Sequence, residues 1–207
     1  MSPCQGECSG FDSRLPLKMG KFILSFALFA ILAFLAYGYY FNYITREGYD
    51  NTTFIESRSN MTLTSPVFSN GNSIPAKYTC EGVNINPPLS ISTISIFAKS
   101  LALIVVDPDS PSGDFTHWVI FNIDPKTTSI DENSIPKESI EGMNDFGEPH
   151  YGGPCPNKGE HRYMFKLYSL DIYLNLEKGA KKQQVLDAMK GHILEQTSLI
   201  GKYKLSG

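Results

Sequence analysis

No stretch of this sequence concentrates positive charge. Lysine and arginine total 18 against 21 aspartates and glutamates, a formal net charge of −3. Such a chain has no basic cluster for a phosphate backbone, which argues against nucleic acid as a partner. No internal repeat is visible, so stacked-repeat architectures are excluded. The sequence contains no HExxH, no GxSxG and no Walker loop. Zincin-type, nucleophile-elbow and nucleotide-hydrolysing chemistries therefore lack their central groups. Cysteine is sparse, at four residues. Cys4 and Cys8 precede the longest apolar run, and their spacing alone defines no metal site.

That apolar run is the first positive feature. Residues 22–45, FILSFALFAILAFLAYGYYFNYIT, carry no charge. At about 1.5 Å per residue a helix of that length reaches roughly 36 Å, enough for a hydrocarbon core of about 30 Å. Tyr37, Tyr39, Tyr40 and Tyr43 gather at its far end, as an interfacial aromatic belt does. Arg14, Lys18 and Lys21 precede it, while Glu47 and Asp50 follow Arg46. This asymmetry predicts a cytoplasmic N-terminus (residues 1–21), a transmembrane signal anchor (22–45) and an extracytoplasmic remainder. Ala36-Tyr37-Gly38 offers a small-x-small cleavage pattern, which would yield a secreted protein. The apolar run continues past it, which favours an uncleaved, single-pass anchor. Residues 46–60 are polar and read as a linker.

From residue 61 onward the chain alternates short apolar runs with turn clusters, the signature of a mainly β domain (61–207). Residues 101–106, LALIVV, are continuously apolar, as expected of a strand covered on both faces. Pro108 and Pro111 lack an amide hydrogen and stop that strand at Asp107. In the next run His117, Val119, Phe121 and Ile123 alternate with Trp118, Ile120 and Asn122. Residues 89–97 alternate and predict a strand; 61–68 and 74–79 are shorter strand candidates. Residues 124–146 read as a long irregular excursion. A Gly/Pro-rich loop from Tyr151 precedes a strand with His161, Tyr163, Phe165 and Leu167 on one face. Arg162 then points to the other face, toward a carboxylate partner. Val185, Leu186, Met189, Ile193 and Leu194 predict a helix over 181–199 lying on a sheet. Gly191 inside it suggests close approach to another backbone, and His192 a packed core histidine.

DPDSP, HWVIFNI, YGGPCP and HRYMFKLYSL occur in this order, flanked by TSPVFSNGNSIPAKYTCEGVNINPPLS and GHILEQTSLIGKY. Together they resemble the phosphatidylethanolamine-binding protein family, in its bacterial and archaeal, Raf-kinase-inhibitor-like branch. The resemblance spans roughly residues 61–204. It departs at 91–93, IST, where the family usually carries a tryptophan and a longer turn. It implies a two-sheet antiparallel β-sandwich with a C-terminal helix, here preceded by one N-terminal transmembrane helix. It also implies a small anion-accepting cavity lined by Asp107, Asp109, Pro111, His117, Tyr151, Gly153, Pro154, His161 and Tyr163.

The residue chemistry agrees with that list. Imidazole, phenol and the backbone N–H groups of a Gly-rich loop all donate to phosphate-like oxygens. Carboxylates repel anions. Asp107 and Asp109 are therefore expected to orient the imidazoles, to receive a ligand ammonium, or to bond the amides of their own turn. The expected ligand is a small anion or phospholipid headgroup, with no metal and no cofactor. The expected role is a membrane-anchored binding or regulatory module whose protein partner the sequence does not name. The alternatives are a protease-inhibitor-like protein, or a hydrolase using the Asp/His cluster. Cys80 and Cys155 fall in loops that the family places near its motifs. An oxidising compartment would permit their pairing, which the sequence leaves open.

Overall fold

The computed structural model describes residues 32–39 and 61–206. The chain divides into two units, Met1–Asn51 and Thr52–Gly207. In the first, residues 32–39 form a helix with exposed side chains. The rest of the 22–45 run, with segments 1–21 and 46–60, lies outside the described residues. Among the described residues no helix is long and apolar enough to cross a membrane.

The second unit is built on strands β1 (Thr62–Thr64), β2 (Leu89–Ser92), β3 (Ser100–Asp107), β4 (Phe115–Ile123), β5 (Ser129–Ile130), β6 (Ile140–Glu141), β7 (Glu160–Leu170) and β8 (Ile193–Lys204). They form two antiparallel sheets, ordered β1-β2-β5 and β6-β4-β3-β7-β8. A helix, Lys182–Met189, precedes β8.

β3 is central, and every one of its residues is buried. Leu101, Leu103 and Val105 face Leu89 and Ile91 of the small sheet. Ala102, Ile104 and Val106 belong to a second cluster with Val185 and Met189 of the helix. The small sheet on one side and the helix on the other explain the continuous apolar run. Two bulges interrupt the β3–β4 ladder. At the first, Val105 pairs with Trp118 and Val106 with Thr116, leaving His117 as the extra residue. At the second, Asn122 adopts φ +56°. Simple alternation puts Ile123 on the face of Val119 and Phe121. The Asn122 bulge shifts it to the opposite cluster, with Trp118 and Ile120.

The helix expected over 181–199 is shorter, and its second half is β8. Gly191 turns the chain at φ +78°, a conformation that glycine adopts without steric cost. A Cβ added there meets nothing within 4 Å, so conformation rather than close approach requires the glycine. Ile193 and Leu194 look helical in the sequence only because they follow an amphipathic helix across this turn. In place they start a strand paired with β7 along its full length. His192 is not packed in the core: its side chain is 42% exposed and its Nδ1 lies 2.8 Å from Asp171. The strand expected over 89–97 ends at Ser92, because Thr93 takes φ +56°. Residues 74–79 contain a 3-10 turn, Ala76–Tyr78, that buries Tyr78. The excursion at 124–146 is mostly irregular and contributes β5 and β6.

Cys80 and Cys155 form a disulfide with Cα atoms 5.4 Å apart, across 75 positions of sequence. It ties the segment after the 3-10 turn to the loop before β7. Closing so long a loop lowers the entropy of the unfolded chain. Replacing both cysteines by serine should therefore cost about 2–5 kcal/mol. Calorimetry should show a lower melting temperature, by about 2–4 °C for each kcal/mol. An unchanged melting temperature would assign the bridge a role other than stability.

Candidate functional site

The polar cluster forms where β3 ends, β4 begins and β7 begins. Antiparallel pairing brings these three ends together: Asp107 lies opposite Phe115, and Val106 opposite Met164. The Asp107 carboxylate is buried and makes two bonds. Its Oδ1 accepts from the Asp109 amide at 2.8 Å, closing the proline-containing turn. Its Oδ2 lies 2.7 Å from His161 Nδ1. The orienting and turn-closing roles expected of this residue are therefore both present.

Asp109 does neither. Its two oxygens accept from Arg162 Nε and Nη2 at 2.9 and 2.7 Å, and Oδ2 also accepts from the Arg162 amide. The guanidinium holds the carboxyl down at about 2. Alternation sends Arg162 to the face opposite His161, so the pair flanks the cluster without facing the imidazoles.

His117 owes its position to the first bulge. An extra residue there lets both His117 and Trp118 turn inward, the re-aiming for which bulges are often used. His117 Nδ1 donates to the Gly152 carbonyl at 2.6 Å. Phe115, Phe146 and Tyr163 surround the ring with centroids 5.1–5.3 Å away. Burial pushes this imidazole below its ordinary value; the Gly152 carbonyl and the Asp107 carboxylate pull weakly the other way. With Nδ1 engaged on both histidines, each ring has Nε2 left for a further partner, an acceptor when neutral and a donor when protonated.

Between the two imidazoles lies a cleft of about 180 Å³. Asp107, His117 and His161 form its polar wall, with Ser110 and Pro111 of the turn. Phe115, Phe146, Cys155, Pro156 and Asn157 complete it. Tyr151 and Gly153 instead line a neighbouring hollow of about 270 Å³, beside Asn84 and Asn144. The Tyr151 hydroxyl donates to the Tyr78 carbonyl at 3.1 Å, and burial pushes its pKa up. The Pro154 carbonyl accepts from the Cys80 amide at 3.1 Å. Tyr163 packs on His117, and among the described residues its buried hydroxyl makes no well-formed hydrogen bond, although the Asp107 carboxylate and the Cys155 backbone lie beside it. Burial and the nearby Asp107 carboxylate raise its pKa, which keeps it a phenol.

The Gly-rich loop differs from its expected role. The Gly152 amide donates to the His117 carbonyl at 3.0 Å, and the Gly153 amide to Asn84 Oδ1 at 2.8 Å. Neither N–H is left for an anion. A Cβ on Gly152 would lie 2.5 Å from the Phe146 ring, and one on Gly153 2.6 Å from the Tyr78 carbonyl. These glycines permit protein packing rather than ligand approach. Among the described residues, no group of three or more His, Cys, Asp or Glu side chains is arranged to hold a metal ion.

Residues 64–204 match the family model described as phosphatidylethanolamine-binding protein. The chain belongs to the phosphatidylethanolamine-binding protein family. It is 51% identical over 149 residues to a UPF0098 protein of Methanothermobacter thermautotrophicus, an alignment covering 70% of this chain and 99% of that one. A UPF0098 protein of Chlamydia muridarum is 46% identical, with the same coverage. A crystal structure from Chlamydia trachomatis, described as a phosphatidylethanolamine-binding protein homologue, is 44% identical, with a TM-score of 0.69 over 72% of this chain and all of that one. The Escherichia coli protein YbcL shares the fold, at 24% identity and a TM-score of 0.67 over 72% of this chain and all of that one.

Within this family domain, sequence reasoning missed the aromatic wall. Phe115 had a signal, since it starts the strand that carries His117. Phe146 had none, because it arrives from the irregular excursion. The Asp109–Arg162 pair yields a direct test. Asp109 is depressed from 3.8 to about 2, so its contribution to stability is whole above about pH 4 and is lost as pH falls through 2. Arg162→Ala should return the Asp109 carboxyl toward 3.8, as read by carbon-detected NMR titration. A carboxyl still titrating near 2 in that variant would show that another group holds it.

Proposed function

We propose that the domain is a binding module for a small oxyanion of the phosphate or phospholipid-headgroup kind, held between His117 and His161. The observation that carries this reading is the pair of buried imidazoles on one cleft, each with Nδ1 committed. Asn157 and Ser110 on the same cleft supply neutral donors. The Asp107 carboxylate is engaged by His161 Nδ1 and by the Asp109 amide. The charge that attracts the ligand then comes from His117. A hydrolase is less well supported. The Ser110 hydroxyl bonds Ser112 Oγ at 2.9 Å rather than an imidazole, so the cleft shows no hydroxyl nucleophile paired with a base. Nothing in the geometry favours the protease-inhibitor alternative.

The pH dependence follows from linkage. Free His117 is held below 6.5 by burial, and a bound anion favours its protonated form. Affinity must then fall as pH rises from the free-state pKa to the higher bound-state one, with a proton taken up on binding. Calorimetry with inorganic phosphate and with phosphoethanolamine between about pH 5 and 8, corrected for ligand ionisation, should show this. His117→Ala should weaken binding on the order of 10–100-fold, the worth of a charge-assisted hydrogen bond, and flatten the pH dependence. Unchanged affinity in His117→Ala and His161→Ala would place the ligand elsewhere.

We further propose that residues 22–45 anchor the protein in a membrane with the domain on the extracytoplasmic side. The charge-free run and the cations before it support this, as does a disulfide in the domain, which is the usual mark of an oxidising compartment. Carbonate extraction should leave the full-length chain in the membrane fraction, and external protease should reach the domain. Full-length protein released by carbonate would overturn the anchor.

A further inference from the structure

The end of the sandwich opposite the cleft carries large apolar side chains in the open. Ile96 is 91% exposed and Phe97 72%, both at the tip of the loop joining β2 to β3. Tyr173, 61% exposed, follows β7. These positions share one end. The Lys99 amide donates to the Leu170 carbonyl at 2.7 Å, and Ser100 Oγ donates to the Ile172 carbonyl at 2.5 Å. Large apolar side chains clustered at a loop tip mark an interaction surface.

The start of the domain indicates what that surface meets. Thr62 pairs with Ser92, and their side-chain oxygens are 2.5 Å apart. The chain therefore enters the domain beside the Ile96–Phe97 loop. β3 runs from this end at Ser100 to the cleft at Asp107, roughly 23 Å at 3.3 Å per residue. The 15 residues of segment 46–60 separate this point from the charge-free run. Fifteen residues reach at most about 50 Å.

We propose that the Ile96–Phe97–Tyr173 end rests on the lipid bilayer surface, with the His117/His161 cleft turned away from it. This rests on the anchor reading above. Three exposed apolar side chains are a weak membrane contact by themselves. A short tether makes the contact intramolecular, so weak contacts suffice. The charges at these element ends are mixed: Lys99 precedes β3, Asp124 and Lys126 follow β4, Asp171 follows β7 and Glu195 lies early in β8. The surface therefore suits the interfacial region of zwitterionic lipid rather than an anionic headgroup cluster. A second copy or another protein would be the competing occupant, and nothing at this end is shaped or charged to select one.

The test uses the full chain reconstituted into phosphatidylcholine vesicles containing brominated lipid, which quenches tryptophan on contact. Trp118 is 1% exposed and supplies a constant background. Phe97→Trp should lose emission in brominated vesicles relative to unbrominated ones. Asn157→Trp, at the cleft, should lose no more than the unsubstituted chain. Vesicle flotation is scored in parallel. A chain that fails to float overturns the anchor reading and this proposal together. A chain that floats with no quenching at position 97, or with equal quenching at 97 and 157, overturns this proposal alone. Blue-shifted but unquenched emission at position 97 also overturns it, and indicates a protein occupant.

Discussion

The cleft depends on one buried carboxylate. Asp107 ends the most buried strand of the domain, caps the turn that follows and holds the His161 ring, all with two oxygens. A buried carboxylate is costly unless its lone pairs are satisfied. Here one partner is a backbone amide two residues away and the other is a side chain on the neighbouring strand. Satisfying Asp107 therefore fixes the turn and the imidazole simultaneously. Loss of either partner would leave a charge in an apolar setting, which ties the geometry of the cleft to the stability of the strand end.

His117 is fixed on separate grounds. A bulge aims the ring inward, three aromatic rings surround it, and the Gly152 carbonyl sets its tautomer. That carbonyl belongs to a loop held from several directions. The Gly152 amide returns a bond to the His117 carbonyl, the Gly153 amide bonds Asn84, and Cys155 is bonded to Cys80. The YGGPCP motif is thus a clamp for one imidazole. Its glycines matter because Phe146 and the Tyr78 carbonyl leave no space for a Cβ.

The parts of this arrangement legible in the sequence are those that follow a local rule. The buried run of β3, its stop at the prolines, and the opposite facing of His161 and Arg162 are all periodicity and proline chemistry. The four motifs, read together, resemble one family, and that likeness extends to the two-sheet fold. The features that escaped were set by single dihedrals or by distant chain. Positive φ at Thr93, Asn122 and Gly191 ended one strand, changed the face of Ile123 and cut the expected helix short. No periodicity count detects a residue that steps out of the period. Asp107 and Asp109 looked equivalent in DPDSP, yet one faces inward and the other meets Arg162 outside. Two residues apart normally means the same face in a strand, but the intervening proline has already ended the strand. Phe146 reached the cleft from an irregular segment, where sequence offers no register to follow.

The charge of the cleft can be followed group by group. Asp109 is neutralised by Arg162 through a bidentate pair on the outside of the cluster. Asp107 Oδ2 is bonded to His161 Nδ1. The buried phenol of Tyr163 is pushed further from ionisation by Asp107, so it adds no negative charge. Burial works against a proton on His117, and under the proposed reading an anion at Nε2 would work for it.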